Sequence, residues 1–82
     1  MSNELYTHIG HTIKQARRTA FTHKHITQSE LARVCGVTFQ QIQKYEKATN
    51  NIPLHNLIAI AEYTKKPLLD FLPSNNTEIT ES

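Results

Sequence analysis

The chain has 82 residues, a mass of 9.4 kDa and a formal net charge of +2. That length fits one small domain with a limited core and excludes an elaborate pocket with a lid and a cofactor fold. Hydrophobic residues make up 38% and charged residues 20%, the balance of a soluble globular chain rather than a disordered one.

Read from the N-terminus, Met1 to Tyr6 show no basic segment followed by an apolar stretch, so a signal peptide is not indicated. Leu5, Ile9, Ile13, Ala16 and Ala20 then trace one face of a first helix over about 4–20. Arg17 falls at the flank of that face and Arg18 points away from it. Thr19 to His25 reads either as one more turn or as a loop.

The next segment holds the most informative local pattern. In Ile26-Thr27-Gln28-Ser29-Glu30-Leu31, Thr27 is an N-cap, Glu30 closes a capping box, and Ile26 with Leu31 forms a hydrophobic staple. Eleven residues later the pattern repeats in Val37-Thr38-Phe39-Gln40-Gln41-Ile42, with Thr38 as cap and Gln41 as its partner. Gly36 lies between, where a left-handed residue is wanted to end a helix. This predicts a second helix at 28–35, a tight glycine turn, and a third helix at 39–47.

Pro53 suits the start of a fourth helix at about 53–63, with Leu54, Leu57, Ile58 and Ala61 on one face. Pro67 opens a short fifth helix through Leu72, and Pro73 ends it. The expected organisation is one domain over 1–73 and a polar tail over 74–82. No segment alternates long enough for a strand, only two glycines are available for tight turns, and no apolar run approaches a membrane span.

Charge is uneven along the chain. Residues 1–50 carry seven Lys/Arg against three acids, and residues 51–82 carry two against four. A basic front half fits a polyanionic partner. With Ile42 and Tyr45 marking the buried side of the third helix, Gln40, Lys44 and Lys47 point outward, with Gln43 beside them. Gln can pair with adenine and Lys with guanine in the major groove, and a thymine methyl suits Phe39. A helix, glycine turn and polar second helix is an arrangement that enters that groove.

The segment Thr27–Glu46, TQSELARVCGVTFQQIQKYE, resembles the helix-turn-helix of the phage repressor and Cro (Xre) family. The match includes Gln28, Ala32, Gly36, Ile42 and the trailing Tyr45-Glu46-Lys47. It extends to Ile9-Gly10 and to IPLHNLIAIAEYTKKPLLDFL, so that it covers roughly residues 5–72. The resemblance implies an all-α, five-helix, lambda-repressor-like DNA-binding domain with its helix-turn-helix at the second and third helices. It implies that Gln28 contacts the DNA backbone, that Thr38, Phe39, Gln40 and Lys44 face bases, and that Lys47 and the Thr49-Asn50-Asn51 loop lie along phosphates. Two departures stand out. Ala48 follows the third helix where relatives often carry glycine, and the link from Arg17 to Gln28 is about four residues longer than the common pattern.

Other residues carry blander readings. The single cysteine, Cys35, excludes an internal disulfide and a Cys-rich zinc site, and it reads as a buried structural thiol beside Leu31. His23-Lys24-His25 lacks a third metal ligand, and His55, Glu62 and Asp70 read as surface residues. Arg17 and Glu46 read as a partly buried ion pair, a pairing that the family often makes.

The resulting expectation is a sequence-specific transcriptional regulator that acts sterically at a near-palindromic operator. It is expected to bind double-stranded DNA as a homodimer through its C-terminal region, where Ile60, Leu68 and Phe71 exceed the needs of one small core. A cytoplasmic, nucleoid-associated place follows, with no enzyme activity, cofactor, metal or membrane partner. An antitoxin or a restriction–modification controller would share the fold. An adaptor that had lost DNA would instead present an unremarkable third helix.

Overall fold

The computed structural model describes residues 3–19 and 25–73. Four α-helices follow in order: α1 (Asn3–Thr19), α2 (Gln28–Cys35), α3 (Phe39–Lys47) and α4 (Leu54–Thr64). A single 3-10 turn, η1 (Leu68–Phe71), follows. No strand occurs among the described residues. The fold is therefore all-α, with a correction to the count: the fifth element is one 3-10 turn rather than an α-helix. Pro67 and Pro73 bracket too few residues for an α-helical ladder. Ala20, His23, Lys24 and the 74–82 tail lie outside the described residues.

Ile9, Ile13 and Ala16 of α1 are buried, as the spacing predicts, whereas Leu5 is exposed. Leu5 lies one turn before Ile9, near the start of α1, where its neighbour Tyr6 packs partly buried against the core instead. The core joins that face to Ile26, Leu31, Ala32, Ile42, Tyr45, Ile52, Leu57, Ile60, Ala61 and Phe71.

The C-terminal apolar residues need a second correction. Ile60 and Phe71 are fully buried, and Leu68 is partly buried against the core. Because η1 packs on both α1 and α4, it closes the core and leaves Ile60 and Phe71 no free surface. Among the described residues, the large apolar side chains left exposed in this half are Leu54, Ile58 and Leu69.

Three helices end alike. The residue after each is left-handed: Gly36 after α2 (φ 70°), Ala48 after α3 (φ 61°) and Lys65 after α4 (φ 60°). In each case the following N–H reaches back to the helix: Val37 to the Ala32 carbonyl, Thr49 to Lys44 and Lys66 to Ala61, all at 3.0 Å. This is the Schellman arrangement, which satisfies the last carbonyls of a helix. Ala48 keeps the glycine conformation, so the end of α3 does not depart from the expected path.

Candidate nucleic-acid interface

The two helices of the central turn are set by their caps. Thr27 Oγ1 accepts from the Glu30 N–H at 3.0 Å, and Glu30 Oε1 accepts from the Thr27 N–H at 3.3 Å. At α3, Thr38 Oγ1 accepts from the Gln41 N–H at 3.1 Å, but the Gln41 side chain does not return the bond. Each cap fixes where its helix starts and so which residues face outward.

On α3 those outward residues are contiguous. At about 100° per residue, Phe39, Gln43, Lys47, Gln40 and Lys44 fill one arc of about 140°. Phe39, Gln40, Lys44 and Lys47 are exposed and Gln43 is half-buried, while Ile42 and Tyr45 close the opposite side. Thr38 is exposed at the head of the helix. Thr49, Asn50 and Asn51 are exposed beyond its end, where Thr49 Oγ1 also donates to the Lys44 carbonyl at 3.3 Å.

The acid of α3 is turned inward. Arg17 Nε donates to Glu46 Oε2 at 2.8 Å and Arg17 Nη2 to Glu46 Oε1 at 3.0 Å. The two side chains are 13% and 4% exposed. This bidentate fork is the strong form of a carboxylate–guanidinium contact. Gln28 Nε2 donates to the same Glu46 Oε1 at 3.0 Å, so the half-buried amide at the start of α2 belongs to this network. Arg17 and Ile26 also exchange hydrogen bonds. The Ile26 N–H donates to the Arg17 carbonyl at 2.9 Å, and Arg17 Nη1 donates to the Ile26 carbonyl at 3.3 Å. Ile26, just before the α2 cap, is thereby tied through both backbone groups to Arg17 in the last turn of α1.

Sequence reasoning missed the bond from Gln28 to Glu46, because no local pattern reports a contact across 18 positions. It also missed Tyr63 of α4, whose hydroxyl donates to Glu30 Oε2 at 2.5 Å. That bond ties α4 to the capping box of α2. The Glu30 carboxylate raises the Tyr63 pKa above the ordinary phenol range, chiefly by accepting this hydrogen bond.

The remaining polar candidates do not assemble. His25, His55, Glu62 and Asp70 are exposed, and no three His, Cys, Asp or Glu among the described residues are placed to hold a metal ion. Cys35 packs against the core with its thiol on the Asn56 carbonyl at 3.8 Å, and burial pushes its pKa up. A raised pKa disfavours the reactive thiolate. Among the described residues, no helix is long and apolar enough to cross a membrane.

A family model described as helix-turn-helix matches residues 13–71. The chain belongs to the Xre-type helix-turn-helix family. Among relatives of this Xre-type chain, an uncharacterised transcriptional regulator of Rhodospirillum rubrum, from an ATPase CF(0) region, is 44% identical over 61 residues. The match covers 74% of this chain and 53% of that one. An uncharacterised HTH-type transcriptional regulator of Sinorhizobium fredii is 36% identical over 63 residues, or 77% of this chain and 41% of its own. This chain thus spans about half or less of the length of these relatives. In structure, the Xre-type fold matches the crystal structure of a hypothetical transcription factor, NHTF, from Neisseria. The TM-score is 0.71 at 19% identity, over 100% of this chain and 91% of the other.

Proposed function

We propose that this protein is a sequence-specific DNA-binding transcriptional regulator whose α3 reads the major groove. The observation that carries the reading is the charge arrangement of α3. Gln40, Gln43, Lys44 and Lys47 share one outward arc, while the acid of the helix, Glu46, is withdrawn and neutralised by Arg17. A surface meant only for solvation has no need to hide its carboxylate. A surface that approaches phosphates does.

In this reading Gln40 and Lys44 contact base edges, with Thr38, Phe39 and Gln43 around them. Lys47, Thr49, Asn50 and Asn51 lie along the backbone, and Gln28, one N–H of whose amide is given to Glu46, reaches phosphate from the start of α2 with the other. The α2 N-terminus is suited to that contact, because its N–H groups carry partial positive charge. The functional unit is residues 1–73, with 74–82 as a polar tail, in the cytoplasm and on the nucleoid.

One copy presents one reading helix and so one half-site. A two-fold dimer on a near-palindromic operator supplies the second half-site, and occupancy then represses by blocking polymerase. Because Ile60 and Phe71 are committed to the core, the C-terminal contact would use apolar side chains that remain exposed among the described residues, Leu54, Ile58 and Leu69.

Selection of bound sites from random duplex DNA tests this. A two-fold symmetric consensus is expected. On that site Gln40→Ala or Lys44→Ala should cost about 1–3 kcal/mol and relax one position per half-site. Lys47→Ala should weaken cognate and random DNA alike and lower the salt slope by about one per half-site. Unchanged specific binding in the first two variants would remove α3 as the reader and favour a protein-binding role.

A further inference from the structure

Phe39 is the residue of the α3 arc that hydrogen bonding does not explain. It is the first residue of the helix, its side chain is outside the core, and it is 40% exposed. An isolated exposed apolar residue is ordinary on a protein surface. Phe39 is not isolated in that sense. It lies at the edge of the same arc as Gln43, Lys47, Gln40 and Lys44, directly after the Thr38 cap that fixes its backbone.

A phenylalanine has no donor and no acceptor, so it cannot read the hydrogen-bond pattern of any base pair. The major groove offers one apolar group, the methyl on C5 of thymine. Cytosine methylated at C5 places the same group on the same ring atom. The first residues of a reading helix are those that reach base edges.

We infer that Phe39 reads the C5-methyl group of a pyrimidine in each half-site, and that the protein therefore senses that methyl on thymine or on 5-methylcytosine. This rests on α3 being the reading helix. The methyl packs against the exposed ring and both lose water. Burial of one such group changes binding by about fourfold, from roughly 0.8 kcal/mol per group.

The test uses the full chain on its selected site. Each thymine is replaced in turn by deoxyuridine, which removes only the methyl. One position per half-site should lose about fourfold in affinity with the wild-type protein and nothing with Phe39→Ala. At that position a C·G pair and its 5-methylcytosine form are then compared. Methylation should strengthen wild-type binding by a similar factor and leave Phe39→Ala unchanged, while Phe39→Leu keeps part of the effect. Circular dichroism melting checks that the Phe39 variants fold. If the site is bound specifically but no deoxyuridine or 5-methylcytosine change depends on Phe39, methyl reading is wrong and the α3 assignment stands. If no site is bound specifically, both are wrong.

Discussion

A Cβ added to Gly10 would lie 2.5 Å from the carbonyl oxygen of Tyr45, and 2.6 Å from that of Glu46. The backbone of α1 thus rests directly on the last turn of α3, with no side chain between them. A glycine inside a helix costs about 1 kcal/mol relative to alanine, so the sequence accepts a weaker α1 for this approach. The approach in turn sets how far α3 stands from α1.

Gly10→Ala should therefore destabilise in spite of its better helix propensity. The obstacle is backbone and cannot swing aside, so a loss of about 1–3 kcal/mol is expected. Urea unfolding measures it. A midpoint equal to wild type, or higher, would mean that α1 and α3 have room to part without cost.

The turn residues make a contrasting pair. A Cβ at Gly36 would meet nothing within 4 Å, yet its φ is 70°. The cost of Gly36→Ala is thus purely conformational, about 1–2 kcal/mol. Ala48 already bears that strain at φ 61°. Ala48→Gly should relieve it and stabilise by up to about 1 kcal/mol, because glycine also loses more freedom on folding. Thermal melting of both variants should show opposite shifts. A fall on Ala48→Gly would show that the end of α3 is held in some other conformation.

Tyr63 supplies a pH-dependent contribution. Its phenol donates to Glu30, and its folded-state pKa is raised. A raised pKa contributes stability in full below the unfolded value of about 10, and that stability is lost as pH rises through the folded value. Subtracting the ultraviolet titration of Tyr63→Phe from that of wild type should isolate a phenol that ionises above the ordinary range. Wild-type stability should also fall more steeply at alkaline pH than that of the variant. A Tyr63 transition at the free-tyrosine value would show that the bond to Glu30 does not form.

These residues also show which parts of the fold are legible in a sequence. Both bounds of α2 and the start of α3 are written within four residues of each end, in Thr27, Glu30, Gly36 and Thr38, so local pattern suffices for them, whereas Ala48 carries no such stop signal at the end of α3. The outward arc of α3 follows from the same register. Phe71 and Ile60 could not be placed that way. Whether an apolar residue closes a core or faces a partner depends on where η1 folds back, and that is a tertiary matter. The Gln28–Glu46 and Tyr63–Glu30 bonds are likewise long-range, and the closeness of Gly10 to Tyr45 becomes visible only once α1 is docked.

The Arg17–Glu46 pair joins stability to the placement of α3 most directly. Glu46 is 4% exposed and accepts from both Arg17 and Gln28, so removing one partner strands a buried charge. Glu46→Ala should cost about 3–5 kcal/mol, much of the stability of a domain this small, which is about 5 kcal/mol. Gln28→Ala leaves the fork intact and should cost only about 1 kcal/mol. Replacing Arg17 and Glu46 together by apolar residues of similar size should recover much of the loss, because no orphan charge remains. The recovered fold would still hold Gln40 and Lys44 outward, so its DNA affinity separates the pair's structural role from its electrostatic one. A double-mutant cycle in urea decides the matter. Coupling below about 0.5 kcal/mol would mean that the two charges act independently, leaving Arg17 free to meet phosphate.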